Sequence, residues 1–278
     1  MKVLHLSDVH VDVPWTAFPR AGFAFPKRLL GGANLALNRK RAFRDARDKL
    51  RDLGRFRREQ GIDLVICTGD LTALGTVPEL EAAREAIAPL TDAPAGFVVI
   101  PGNHDVYVSD SVGHFDRIFA GLVDDGPYPR VRIVDDEVAV VQLNSARPNP
   151  QPWRSSGRVS DDQLAKLPAI FESLGDRFVF IALHYGLRLE NGEPDRFSHG
   201  LVNADEVLRA CASVRGAILH GHIHQRFQLR VPGVTPPIYC AGSTTEAGHE
   251  GFWVYEVVDG TLSAMPGTYR DGHYRFIE

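Results

Sequence analysis

Asp8-Val9-His10, Gly69-Asp70, Gly102-Asn103-His104-Asp105, an isolated His184 and Gly221-His222-Ile223-His224 follow one another along the chain. Together they offer carboxylate, imidazole and amide-oxygen donors in a number that suits two metal ions side by side. Two divalent ions about 3.5–4 Å apart activate a water at neutral pH and neutralise charge on phosphoryl oxygens. A carboxylate can bridge such a pair, and neutral imidazoles fill the remaining positions without repelling a phosphate. Hydrolysis of phosphate esters is the chemistry this set points to. Each motif alone is weak: a Gly-Asp is a turn, and a His-x-His fits a solvated strand face. The ordered set is strong because each member follows an apolar stretch that reads as a strand.

Those strands can be placed from the pattern. Val3–Leu6 is a short buried strand, and Asp8 and His10 lie just past its end. Residues 39–58 carry ten Lys or Arg against three Asp; Phe43, Ala46, Leu50 and Leu53 recur at helical steps, which predicts one amphipathic helix. Asp63–Cys67 is the next strand, with Asp70 beyond it. A helix over about 78–90 and a strand Phe97–Ile100 follow, delivering Asn103 and His104. Strand–helix–strand–helix–strand argues for parallel pairing, and an open α/β sheet puts its site at the carboxyl ends of such strands. The second half predicts strands at Val131–Val134 and Val138–Leu143, a helix over about 160–173, and Phe178–Leu183 delivering His184. A helix over about 203–212 then precedes Ala217–Leu219, which delivers His222 and His224. Alternating strands at 226–231, 237–241, 252–258 and 261–269 close the chain, with a tight turn at Asp259-Gly260. There is no internal repeat, linker or low-complexity tract. One domain, residues 1–278, is expected, with two packed sheets and outer helices.

Composition bounds the rest. The chain has 278 residues, 44% hydrophobic, with net charge −4, which argues against a dedicated nucleic-acid binder. Cys67, Cys211 and Cys240 form no close-spaced redox or metal motif, and their sparseness suits a reducing compartment. No removable leader fits before Asp8, and no stretch is long and apolar enough to span a bilayer. A soluble cytoplasmic protein is the expectation.

With these motifs, from Asp8 to His224, the sequence resembles the calcineurin-like metallophosphoesterase superfamily. The resemblance implies a four-layer α/β/β/α sandwich with two mixed sheets. It implies that Asp8, His10, Asp70 and His224 bind a first metal, that Asp70 bridges, and that Asn103, His184 and His222 complete a second. His104 would contact the phosphate and protonate the leaving oxygen, with Asp105 as its orienting partner. The attacking group would be a metal-bridging hydroxide, without a covalent intermediate. The metals would be two divalent ions from among Mn, Fe, Zn and Co. Within the superfamily the chain is most similar to bacterial phosphodiesterases of the class III cyclic-nucleotide type. The Gly-Asn-His-Asp form and the segment from His184 to Asn203 carry this, although Leu183-His184-Tyr185-Gly186 lacks the second histidine or prolines often found there. The expected substrate is a cyclic nucleotide or a small organic diester. A phosphomonoesterase and a nucleic-acid-processing phosphoesterase are the alternatives.

Substrate contacts are sought at the rim. Residues 13–38 start three residues past His10, and Trp15, Phe18, Phe23 and Phe25 could form an apolar wall. A helix-packing or homo-oligomer-forming excursion is the competing reading. Lys27-Arg28-Leu29-Leu30 admits contact with an anionic membrane surface. Asn144, Arg147 and His199 are the candidate substrate contacts, and Trp153 a candidate cap. The basic 39–58 helix would serve any nucleic acid. His5 and His220 read as structural.

Overall fold

The computed structural model describes residues 1–18, 25–35, 40–149 and 151–277. Strand β1 (Lys2–Leu6) is apolar on both faces, Val3, Leu4 and Leu6 being fully buried along with His5. That is how a strand covered on both sides reads. It pairs in parallel with β2 (Leu64–Cys67), which pairs in parallel with β3 (Phe97–Val99). On its other side lies the antiparallel run β10 (Phe252–Val258), β11 (Thr261–Arg270) and β12 (His273–Phe276). The sheet order is β12-β11-β10-β1-β2-β3. The second sheet has parallel β5 (Val138–Gln142), β6 (Phe178–Ala182), β7 (Gly216–His220) and β9 (Ile238–Ala241), with antiparallel edges β4 (Arg130–Ile133) and β8 (Arg226–Leu229).

The sheets face each other across one apolar interior that includes Val3, Ile66, Val98, Val140, Phe180 and Tyr255. On the far side of the first sheet lie α3 (Ala46–Glu59), α4 (Val77–Thr91) and the short α5 (His114–Ile118). They bury Leu50, Leu53, Leu80, Ile87 and Phe115 against Leu4, Leu6 and Val254. On the far side of the second sheet lie α6 (Asp161–Leu174) and α7 (Ala204–Cys211), burying Leu167, Leu174, Val207 and Leu208 against Val141, Ile181 and Ile218. The layers therefore run α/β/β/α, as expected. Among the described residues no helix is long and apolar enough to cross a membrane. All three cysteines are free and buried.

Three expectations change. The helix foreseen over 39–58 is two pieces, α2 (Lys40–Ala42) and α3, with Asp45 preceding the second. Phe43 leaves the helical stripe and sets its ring edge-on to His10, centroids 4.7 Å apart. Much of the basic character of α3 is paired with acids of the same chain: Lys49 is buried against Glu250 at 2.6 Å and Arg57 is buried beside Asp92, while Arg51 and Arg55 pair with Asp48 and Asp52 on the surface. Residues 26–34 form a helix, α1 (Pro26–Asn34), that apolar periodicity missed because its buried residues are Lys27, Arg28 and Gly32. Arg28 donates to the carbonyls of Leu74 (3.0 Å) and Gly75 (3.2 Å) and to Ser111 Oγ (2.9 Å). With Lys27 and Arg28 turned inward, the two cations on which membrane contact was based are not on the surface. Phe18 is buried with Val13, Leu35, Leu74 and Tyr107, and Phe25 packs against that cluster, so both fill a core and line no open wall. Trp15 remains partly exposed, and Phe23 lies outside the described residues.

Candidate metal centre

The loops leaving the carboxyl ends of β1, β2, β3, β6 and β7 meet at one end of the two sheets. Asp8 N donates to Gly69 O at 2.9 Å and His10 N to Asp70 O at 3.1 Å, which ties the first two loops together. Close approach needs glycine at two points. A Cβ on Gly102 would strike the Asp70 carboxylate, and one on Gly221 would strike Ser7 Oγ and Asp8 Oδ2. Among the described residues, the non-glycine positions at positive φ are Asp8, His10, Asp70, His222, His224, Asp259 and Asp271. Five of these seven are the expected ligands. A left-handed backbone costs an L-residue about 1–2 kcal/mol, and such strain collects where geometry serves function.

Hydrogen bonds fix which ring nitrogens face inward. His10 Nδ1 lies 2.6 Å from Thr72 O, His184 Nδ1 2.8 Å from Thr68 O, and His224 Nδ1 2.6 Å from Glu246 Oε2. Carbonyl and carboxylate oxygens only accept, so each Nδ1 carries a proton and each neutral ring turns its Nε2 lone pair inward. Around Asp8 Oδ1, His224 Nε2 stands 3.2 Å away, and that nitrogen lies 3.4 Å from His10 Nε2. Around Asn103 Oδ1, His184 Nε2 stands at 3.0 Å and His222 Nδ1 at 2.9 Å. Asp70 Oδ2 lies between the groups, 3.9 Å from His10 Nε2 and 3.4 Å from His184 Nε2.

Lone pairs that converge this closely repel unless a cation sits among them. Asp8 Oδ1 is buried and accepts no hydrogen bond. The donor set and this orphaned oxygen fit divalent metal ions, with Asp8, His10, His224 and Asp70 on one side and Asp70, Asn103, His184 and His222 on the other. In the metal-free protein protons fill the role. Burial opposes charge on His184 and His224, yet Asp70 with Asp8 raises His184 to about 9, and Asp8 with Glu246 raises His224 to about 10. Burial likewise opposes ionisation of Asp8 and Asp70, but the surrounding imidazoles hold both carboxyls well below the usual range. Burial, with His199 and His184 beside it, pushes His222 well below the ordinary imidazole value.

His104 sits at the edge of this cluster. Its backbone N–H donates to Asp70 Oδ1 at 2.7 Å, and its Nδ1 lies 2.6 Å from Ala73 O. Its ring stacks on Tyr107, centroids 5.3 Å apart, and stands edge-on to His10 at 5.1 Å. Asp105 has a different task from the expected one. Its carboxylate accepts from the backbone N–H groups of Asp70, Leu71, Thr72 and Gly102 at 2.9–3.0 Å and from Thr72 Oγ1 at 3.0 Å. It therefore shapes the Asp70 loop, and the His104 ring is oriented by Ala73 O. Of the three candidate substrate contacts, His199 reaches the cluster: its ring lies 4.2 Å from that of His222, and its Nδ1 is 2.5 Å from Asp195 Oδ2. Asn144 closes a turn onto Ala146 N and pairs with Gln163, so the structure does not bring its side chain to the ligands. Arg147 bonds Ser156 in the neighbouring loop. Trp153 is 78% exposed and caps nothing.

Sequence reasoning missed Glu246 and the hydroxyls before it. Ser243 Oγ donates to Asp8 O at 2.7 Å, Thr245 Oγ1 to Val9 O at 2.6 Å, and Ser7 N donates to Thr244 Oγ1 at 3.1 Å. The available signal was the polar run Ser243-Thr244-Thr245-Glu246 directly after the apolar strand β9. His5, fully buried between Tyr255 Oη at 3.0 Å and Thr68 Oγ1 at 3.1 Å, is structural as read; burial brings it to about 3 and His220 to about 4.

A family model for calcineurin-like phosphoesterases matches residues 1–226. The chain belongs to that family. It is accordingly a metal-dependent phosphoester hydrolase. It is 25% identical over 203 residues to a protein of Vesicomyosocius okutanii described as a probable cyclic nucleotide phosphodiesterase, covering 71% of this chain and 78% of that one. It is 32% identical over 178 residues to a 3′,5′-cyclic adenosine monophosphate phosphodiesterase of Pseudomonas aeruginosa, covering 62% of this chain and 58% of that relative. Among solved structures, a dimetal phosphatase from Danio rerio superposes with a TM-score of 0.64 at 15% identity over 99% of this chain and 98% of that one, which shows a shared fold.

Proposed function

We propose that this calcineurin-like phosphoesterase hydrolyses small phosphodiesters at a two-metal centre. The observation that carries the reading is the pair of lone-pair clusters sharing Asp70 Oδ2. Asp8, His10, Asp70 and His224 would hold one ion, and Asp70, Asn103, His184 and His222 the other. Two such ions, when bound, supply an activated water and offset charge on the phosphoryl oxygens. The residues do the rest. Thr68 O, Thr72 O and Glu246 lock the ring tautomers so that nitrogen lone pairs face inward. The Ala73 carbonyl accepts a hydrogen bond from His104 Nδ1–H, which leaves Nε2 to face the substrate; in the imidazolium form of the ring, Nε2 carries the proton that goes to the departing oxygen. Mn, Fe, Zn and Co all suit this donor set. The diester preference is supported by the two relatives described as cyclic-nucleotide phosphodiesterases.

Steady-state hydrolysis by the chelator-stripped protein with Mn²⁺ restored tests the reading, with bis(p-nitrophenyl) phosphate, p-nitrophenyl phosphate and 3′,5′-cyclic AMP as substrates. Metal-dependent turnover of the diesters with little monoester activity is expected. A preference for the monoester would leave the phosphoesterase chemistry intact and overturn the diester assignment.

A further inference from the structure

Among the described residues, two arginines near the centre, Arg147 and Arg154, form no ion pair. Arg147 donates through Nε to Ser156 O and through Nη2 to Ser156 Oγ, each at 3.2 Å, and Arg154 donates through Nε to the same Ser156 Oγ at 2.8 Å. Ser156 is buried. One hydroxyl thus gathers two guanidinium groups, and among the described residues neither pairs with a carboxylate. Like charges held together repel, and an anion between them removes the repulsion; planar guanidinium forks match phosphate oxygens two at a time. Burial, with Arg154 next, lowers the proton affinity of Arg147, which agrees with their closeness.

The pair lies one layer out from the metal ligands. The Tyr185 hydroxyl donates to Ser155 O, and the Tyr185 ring lies 4.3 Å from that of His222. Ser155 N donates to Ser198 O at 2.9 Å, beside His199, whose ring also lies on His222. Gly157 N bonds Gly200 O at 3.1 Å, so loops 147–157 and 196–200 are stitched together. Gly157 is required there, because a Cβ would strike the Tyr185 ring. Phe197, 71% exposed, lies under the Arg154 guanidinium at 4.9 Å and keeps it on this rim.

We propose that Arg147 and Arg154 form an anion subsite for a second phosphate group of the substrate, next to the ester that is cleaved. The position of the scissile group rests on the phosphodiesterase reading; the subsite itself does not. The preferred substrate is then a phosphodiester bearing a further terminal phosphate, and a diester with one phosphate uses the centre without this grip.

A matched pair of substrates tests this: thymidine 5′-(p-nitrophenyl phosphate) with and without a 3′-phosphate. The wild-type protein, loaded with Mn²⁺, is expected to show a KM roughly tenfold or more lower for the 3′-phosphorylated ester. In the Arg147→Gln/Arg154→Gln double variant the ratio of kcat/KM for the two esters falls to about one, that is, the gain is lost. Equal KM values in the wild type, or a preference that survives in the double variant, would overturn the subsite. A second readout does not need turnover or a folded variant. Inorganic phosphate added to the chelator-stripped wild-type protein is expected to shift the Nε–Hε resonances of both arginines, and unmoved resonances would count against the proposal. Shifted resonances in a protein that cleaves neither ester would uphold the subsite and reject the phosphodiesterase reading.

Discussion

On the proposed function, His104 would transfer the proton and Glu246 would orient His224. The His104 backbone N–H, which holds Asp70 Oδ1, survives truncation of the side chain. His104→Ala should therefore keep its metals, as measured by elemental analysis, and lose about 10²–10⁴-fold in turnover. The loss should be greatest for alkyl esters with poor leaving groups, and intact alkyl-ester turnover would remove His104 as the acid. Glu246→Gln keeps an acceptor for His224 Nδ1 but drops the charge behind it. Partners of this kind are worth about 10–100-fold in metal affinity or activity, so Mn²⁺ affinity by titration calorimetry should weaken by about that range. The clustering of Asp8, His10, Asp70, Asn103, His184, His222 and His224 was legible because each stands after an apolar strand. Glu246 was not, because its partner His224 is 22 residues away and contact across that separation is a property of the fold. The resemblance implied that Asp105 orients His104, whereas its carboxylate accepts from the N–H groups of a different loop, a pairing only the fold displays.

Strand β1 carries a buried histidine in an otherwise apolar run, and this makes stability depend on pH. Burial, with His220 nearby, brings His5 down to about 3 in the folded protein, against 6.5 when unfolded. The folded state refuses a proton that the unfolded chain accepts, so stability is present above about pH 6.5 and falls as the pH drops towards 3. A denaturant series from pH 7 to pH 5 should show the slope flattened in His5→Asn by up to one proton, about 1.4 kcal/mol per pH unit. An unchanged slope would mean that His5 titrates normally. The strands were easy to place because β1, β2, β5, β6 and β7 are buried on both faces. Helix α1 was invisible to the same logic. Its inward face is Lys27, Arg28 and Gly32, and it docks through hydrogen bonds to Leu74, Gly75 and Ser111. Likewise Phe43, which completes a helical stripe on paper, is drawn out of α3 to pack on His10.

The two sheets bring loops from distant parts of the chain to one place, and the binding of metal is where that arrangement shows itself. Strand–helix alternation pointed to two packed sheets with outer helices, and the resemblance to the α/β/β/α layering, while the pairing of β10 beside β1 depends on contacts more than 240 residues apart in the chain and could only be seen in the fold. Because the proposed ligands come from five loops, ions that bind only the folded chain should stabilise it: by about 2.7 kcal/mol at a free metal concentration 100 times Kd. A chelator should lower the melting temperature correspondingly. The most direct measurement is the number and place of bound ions, by anomalous diffraction from crystals of the Mn²⁺-loaded protein. Two peaks flanking the Asp70 carboxylate, absent together in Asp70→Ala, are expected. A single peak, or two peaks that persist without Asp70, would contradict the shared-carboxylate centre on which the proposed function stands.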